Sequence, residues 1–290
     1  MNNKPTTVLV TGANGQLGNV LHVLAPRFTD CVFLFVSKVE LNIADAAAIE
    51  NYFTTHTIDY CINCAAYTAV DKAEVEKEQA FLINAEAVGT LATVCNKNNT
   101  QLIHISTDYV FDGNAKQPYS ETDNTNPVSI YGQSKLKGEE LAIQNSPSTI
   151  IIRTSWLYSS FKNNFVKTML RLMKEKESIN VVNDQLGCPT YAADLADAII
   201  QIIKSGKSKE NPGIYNYANA GTTTWFEFAV AIKELGNSSC RVNPIPTTQY
   251  PTPAKRPAYS VFNTSKIKET FNIVIPGWKD SLQNCLGLLK

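Results

Sequence analysis

Short apolar runs alternate with amphipathic stretches through the first half of the chain. Val8-Leu9-Val10, Val32-Phe33-Leu34-Phe35-Val36, Tyr60-Cys61-Ile62, Leu102-Ile103-His104-Ile105 and Ile150-Ile151-Ile152 are rich in β-branched and aromatic residues. Such runs suit strands buried on both faces of a parallel sheet. Between them, near 16–24, 45–53, 76–95 and 131–143, apolar residues recur every three or four positions, as on a helix with one buried stripe. Strand alternating with helix predicts an α/β fold, a Rossmann-type doubly wound parallel sheet.

Beyond Arg153 the texture changes. Trp156 and Trp225 appear, with Pro189, Pro244, Pro246, Pro251, Pro253 and Pro257, among helical patterns near 165–174, 192–203 and 225–235. The pattern predicts a dinucleotide-binding unit in residues 1–153 and a smaller C-terminal substrate-binding lobe in 154–290, whose later strands are free to return to the sheet. The cleft between the two is the natural binding site.

Composition narrows the partners. In 290 residues, Lys plus Arg equals Asp plus Glu at 26 each, so no global field favours nucleic acid or an acidic membrane surface. No apolar segment approaches the ~18 residues of a membrane span, and the N-terminus lacks a signal-peptide core, so a cytoplasmic protein is expected. Seven cysteines, an odd number, favour free thiols. Cys61 and Cys64 should point to opposite faces of one strand, and no metal site is expected. His22, His56 and His104 stand apart from one another and read as surface or satisfied core histidines.

The chemistry concentrates at the predicted strand ends. Thr11-Gly12-Ala13-Asn14-Gly15-Gln16-Leu17-Gly18 follows the first strand and opens the first helix. Glycines there let backbone approach a pyrophosphate, whose charge suits the free N–H groups of a helix start; an ordinary glycine turn is the alternative. After the second strand stand Ser37 and Lys38, where an NAD-selective site would place an acid, so NADPH is expected with NADH possible; a plain solvated lysine is the alternative. Asn42 and Ile43 are placed to meet adenine, and Ala65, Ala66 and Tyr67 put small side chains where a cofactor must lie close.

Tyr131 and Lys135 fall four residues apart, one turn on a helix. A lysine ammonium near a phenol should pull its pKa down and equip it to protonate a carbonyl oxygen. Ser106, Thr107 and Asp108 end the fourth strand at the carboxyl edge of the sheet, where a hydroxyl can hold that oxygen or merely cap the strand. Trp156 follows the fifth strand, and its ring is expected to face the cleft as a flat surface for a sugar, the alternative being a core tryptophan.

With residues 11–18, 65–74 (AAYTAVDKAE), 106–113 (STDYVFDG), the Tyr131/Lys135 pair and 153–156 (RTSW) together, the chain resembles the extended short-chain dehydrogenase/reductases and, more narrowly, the dTDP-4-dehydrorhamnose reductase family. The likeness continues through 184–190 (DQLGCPT), 219–221 and 256–257. It implies reduction of a dTDP-linked 4-keto-6-deoxyhexose at C4, with Tyr131 as proton donor, Lys135 as its tuner and ribose ligand, and Thr107 beside the reacting oxygen. Thr107, Asp108 and Trp156 would contact the sugar nucleotide; Gly15, Gln16 and Leu17 the pyrophosphate; Asn42 and Ile43 the adenosine. Some relatives use magnesium through acidic C-terminal side chains, but Asp280 is the one acid in 278–290, so magnesium is not expected. A monomer or homodimer is expected. A sibling sugar-nucleotide epimerase and a non-catalytic dinucleotide-sensing subunit are the rival readings.

Overall fold

Six parallel strands form the central sheet of the computed structural model, which describes residues 4–289. They are β1 (Thr6–Thr11), β2 (Cys31–Val36), β3 (Tyr60–Asn63), β4 (Gln101–Thr107), β5 (Ile150–Thr154) and β6 (Gly213–Tyr217), in the spatial order β6-β5-β4-β3-β1-β2. Alternate residues of each strand enter different cores. On one face Val8, Val10, Ile62, Ile103 and Ile152 pack on Leu17, Val20 and Leu21 of the helix Gln16–Leu24 and on Leu195 and Ile199 of the helix Ala192–Lys204. On the other, Leu9, Cys61, Leu102 and Ile151 meet Ile49, Val88 and Leu91. With no wet face, the strands have nowhere to alternate apolar with polar.

The order of the strands reverses at β1, which has β2 on one side and β3 on the other. Loops leaving neighbouring strands in opposite directions open a crevice at their carboxyl ends. The glycine loop leaves β1 at that crevice. β6 and the helix Ala192–Lys204 come from the second half of the chain and complete the sheet layer.

The amphipathic stretch near 76–95 is not one continuous helix. Lys77–Phe81 and Ala87–Lys97 are α-helical, and a π-turn, Leu82–Glu86, lies between them. Its cause is visible in Asn84, which is fully buried: its Oδ1 accepts from Tyr67 N at 2.8 Å, and its Nδ2 donates to Tyr67 O and to Ser134 Oγ, both at 3.0 Å. Periodicity registers the apolar stripe but not an inserted residue that turns a polar side chain inward.

A separate apolar cluster gathers Val166, Met169, Phe228, Ile232, Trp278 and Leu282 from the helices Phe165–Glu175, Trp225–Leu235 and Trp278–Gly287. The helix Trp225–Leu235 begins with a reciprocal cap, Thr224 Oγ1 accepting from Glu227 N while Glu227 accepts from Thr224 N. Among the described residues no helix is long and apolar enough to cross a membrane.

Candidate active site

The carboxyl ends of β1, β3, β4 and β5 open into a cleft of about 640 Å³. Gly15, Gln16 and Leu17 form one wall, residues 106–109 with Tyr131 and Lys135 another, and Trp156 with Lys162 a third.

Gly12 has a left-handed backbone (φ +63°), and a Cβ on it would stand 2.6 Å from Ala65 N, so the loops after β1 and β3 touch only because no side chain is present there. Gly15 caps the helix Gln16–Leu24 with extended backbone and no side-chain cap, leaving first-turn N–H groups open. Gly18 packs on the Ala13 backbone, and Leu17 is 4% exposed in the core beneath the loop. The Gln16 side chain has another task besides lining the cleft. Its Oε1 accepts from Ser159 Oγ at 2.9 Å and Asn164 Nδ2 at 3.0 Å, fastening the glycine loop to the segment after β5.

The end of β2 carries an acid after all. Ser37 N donates to Glu40 Oε2 at 2.7 Å, so an acid folds back onto the position where none was expected. That contact holds the Glu40 carboxyl below its usual range. Lys38 is exposed. Asn42 is also exposed, its Oδ1 accepting from Ala44 N, and Ile43 is buried at 5%. Ala65, Ala66 and Tyr67 are half-buried; Ala66 lines the cleft, whereas the Tyr67 hydroxyl donates to Glu76 at 2.6 Å.

The end of β4 carries unspent hydrogen-bonding capacity. Ser106, Thr107 and Asp108 are all buried, and Ser106 Oγ and Asp108 Oδ2 have no partner at hydrogen-bond geometry, although the Ser260 hydroxyl stands near enough to the Asp108 carboxyl to favour its charged form. Buried polar atoms are nearly always paired, so two orphans in a cleft wall fit a polar ligand. Thr107 Oγ1 donates to Asp108 Oδ1 at 3.0 Å and accepts from Tyr109 N at 3.2 Å. Burial pushes the Asp108 carboxyl up to about 6.

Tyr131 and Lys135 lie on the helix Ile130–Asn145, which is capped twice: Ser129 Oγ accepts from Gly132 N at 3.1 Å and Glu74 Oε1 from Ile130 N at 2.9 Å. The second cap gives the run 65–74 a mechanical role. The predicted lowering of the Tyr131 pKa is not what the fold produces. Burial pushes the phenol up to about 12, with the nearby Thr107 hydroxyl acting the other way, while burial brings Lys135 down to about 8. The Lys135 amine is instead bonded to the Ile105 carbonyl and to His104. A phenol with a raised pKa keeps its proton at neutral pH, as a donor must.

Trp156 sits in left-handed backbone (φ +48°), a strain of the kind that collects at functional sites. Its ring stacks on Trp225 with centroids 3.5 Å apart and planes 9° from parallel, and a Cβ on Gly187 would meet that ring at 2.6 Å. One face of the expected platform is therefore already covered. Trp225, which the sequence reading set apart only as texture, lines a second cavity of about 650 Å³ that also holds Phe165, Tyr250 and Arg256. Arg256 is paired bidentately with Asp71 at 2.8 and 3.1 Å.

His104, expected as a surface or satisfied core histidine, is a buried one, and its partners are Asn63 and Lys135. Its signal was available: a buried polar residue in an apolar run is more informative than the run itself. Glu40, Glu74 and Asn84 gave no such signal, because loop-borne acids and helical amides are common. Among the described residues no cluster of three or more His, Cys, Asp or Glu side chains could hold a metal ion.

Residues 6–290 match the family model described as the RmlD substrate binding domain. The chain is 44% identical over 291 residues to the dTDP-4-dehydrorhamnose reductase of Escherichia coli strain K12, covering 97% of each. Among solved structures it superposes on the Clostridium acetobutylicum dTDP-4-dehydrorhamnose reductase with a TM-score of 0.93 at 38% identity, covering 98% of this chain and 99% of that one. The Bacillus anthracis dTDP-4-dehydrorhamnose reductase, solved in complex with NADP, gives the same TM-score and identity, over 97% of this chain and 99% of its own.

Proposed function

The chain belongs to the RmlD substrate binding domain family and is a dTDP-4-dehydrorhamnose reductase, and from that premise we propose how its cleft works. It reduces dTDP-4-dehydro-6-deoxy-L-mannose to dTDP-L-rhamnose. A reduced nicotinamide, when bound, supplies the hydride that C4 of the sugar receives. The glycine-loop helix start suits its pyrophosphate, and the close backbone approach at Gly12 and Ala65 leaves room beside the loop.

One observation carries the assignment of roles. Tyr131 and Lys135 face, within a single cleft, the buried hydroxyls of Ser106 and Thr107 and the orphaned oxygen of Asp108. Thr107, turning its hydroxyl proton from Asp108 to the substrate, holds the carbonyl oxygen. Tyr131, kept protonated by burial, delivers its proton as negative charge develops there, and Lys135 offsets that charge. Asp108 accepts from a sugar hydroxyl, which supplies the partner its Oδ2 lacks. Trp156 sets the edge of the sugar pocket, held by Trp225. The nucleotide occupies the neighbouring cavity, where Phe165, Trp225 and Tyr250 offer apolar walls beside the Arg256–Asp71 pair.

For the cofactor we favour NADPH, supported by the exposed Lys38 beside Ser37, with Glu40 tempering the preference through its charge. The test of the whole reading is NADPH oxidation with dTDP-4-keto-6-deoxy-L-mannose against UDP- and GDP-linked ketosugars. Selective turnover of the dTDP sugar supports it; equal turnover of all three would remove the nucleotide assignment.

A further inference from the structure

Lys135 is held from below. Its Nζ lies 2.7 Å from the Ile105 carbonyl and 3.1 Å from His104 Nε2. His104 ends a polar row laid across three strands, in which Thr11 of β1 stands opposite Asn63 of β3 and Asn63 opposite His104 of β4. All three are 0% exposed. The row runs under the switch point, from the foot of the glycine loop to the amine.

Hydrogen-bond roles along the row follow from its fixed end. The Ala65 backbone N–H can only donate, and it meets Asn63 Oδ1 at 3.2 Å; Thr11 Oγ1 donates to the same oxygen at 2.6 Å. The Asn63 amide nitrogen, a donor only, therefore faces His104 Nδ1 at 3.1 Å, and Nδ1 accepts. The ring is neutral, because burial and the adjacent Lys135 both drive its proton affinity well below the ordinary histidine range. A neutral imidazole that accepts at one nitrogen bears its proton on the other. His104 thus turns an N–H toward Lys135, and an amine has the lone pair to receive it where an ammonium has none.

We propose that His104 is a positioning residue which, through the tautomer that Asn63 imposes, loosens the hold of the Lys135 ammonium on its proton and so readies Lys135 to return that proton to Tyr131. The proposal rests on the catalytic roles given to Tyr131 and Lys135. The protons balance. Tyr131 loses its O–H proton to the sugar oxygen; the resulting phenolate takes a proton from the Lys135 ammonium; the amine left behind accepts from His104 Nε2–H; and water reprotonates the amine for the next turnover.

The other groups facing Lys135 do not replace this control. On its own helix stand Tyr131 one turn before and Glu139 one turn after; the Glu139 charge favours the Lys135 ammonium but is outweighed by burial, and it is engaged by Arg153 of β5 at 2.6 to 3.2 Å in a buried bidentate pair. From β4 come His104 and the Ile105 carbonyl, and from the turn after it Asp108, whose charge acts on Tyr131.

The experiment combines ¹⁵N spectra of histidine-labelled protein with pH profiles. Two-bond ¹H–¹⁵N correlations should show His104 neutral throughout the neutral range with its proton on Nε2. In Asn63→Asp the second carboxylate oxygen takes the place of the amide nitrogen and accepts from Nδ1–H, so the tautomer should reverse. In His104→Gln the side-chain oxygen can face Lys135 and favour the ammonium, so the lysine limb of the kcat profile should move up by about one pH unit with the Kd for NADPH unchanged. A parent spectrum with the proton on Nδ1, or an unmoved limb in folded His104→Gln, overturns the proposal. An inactive parent would count against the reductase roles, while the spectrum still decides the tautomer.

Discussion

At the scale of single residues the site is governed by burial more than by charge pairing. Tyr131 is raised and Lys135 lowered by the same desolvation, so each sits closer to its neutral form than in water. Tyr131→Phe keeps the ring and removes the proton; kcat should fall by about 10²- to 10⁴-fold while NADPH binding holds, and a variant with near-parental kcat would take Tyr131 out of the mechanism. Asp108 offers a pH signature. Its folded pKa, about 6, lies above the unfolded 3.8, so the folded state binds the extra proton between those values and stability falls as pH rises through them. Asp108→Asn cannot ionise. It should gain on the parent between those pH values by up to roughly 3 kcal/mol, measured by denaturant unfolding, and parallel pH curves would contradict the shift. Glu40 is the residue to change for cofactor choice: Glu40→Gln removes a negative charge beside Ser37 and should raise the ratio of kcat/KM for NADPH over NADH by severalfold. An unchanged ratio would show that this carboxylate does not sense the 2′-phosphate.

Elements hold these residues in place through backbone contacts made by side chains. The helix Ile130–Asn145 starts where Ser129 and Glu74 both accept its first N–H groups, so the loop after β3 and the helix after β4 are one mechanical unit. The π-turn at Leu82–Glu86 supports that unit from behind, since Asn84 clamps the Tyr67 backbone on both sides and reaches Ser134, one residue before Lys135. Asn84→Ala strands a buried backbone N–H and C=O, each worth about 1–3 kcal/mol when left unpaired. We expect a marked loss of stability together with a lower kcat. Asn84→Asp, which keeps the acceptor for Tyr67 N, should recover part of the stability, and an alanine variant as stable as the parent would show that the clamp carries no weight.

Across the whole molecule, the stacked pair Trp156 and Trp225 joins the sheet to the C-terminal cluster and the cleft to the second cavity. A core Trp→Ala costs about 3–5 kcal/mol, whereas an aromatic stack is worth about 0.5–1.5 kcal/mol beyond its area. Trp156 is half-buried, so Trp156→Ala should cost nearer the lower figure. It should lower kcat/KM for the ketosugar by at least about tenfold, roughly 1.4 kcal/mol, with the Kd for NADPH unchanged. Full core-like destabilisation, or parental ketosugar kinetics, would return Trp156 to a purely structural part.

The sequence by itself determined the doubly wound sheet, because strands dry on both faces must be largely apolar and their crossover helices must carry one apolar stripe. It also placed Ser106 and Thr107 at the carboxyl edge and Tyr131 and Lys135 one helical turn apart, since strand ends and helix spacing are local properties, while the resemblance joined the two into one site. What it could not carry was any relation between residues far apart in the chain. The pull of Lys135 on Tyr131 was expected from their four-residue spacing, but the amine turns to Ile105 and His104, a partnership made by packing a helix on a strand. Glu40 folding onto Ser37, Trp225 covering a face of Trp156, and Asn63 fixing the role of His104 are likewise decided by tertiary structure. Burial and hydrogen-bond direction, which set the pKa of each group, exist only once those distant segments have met.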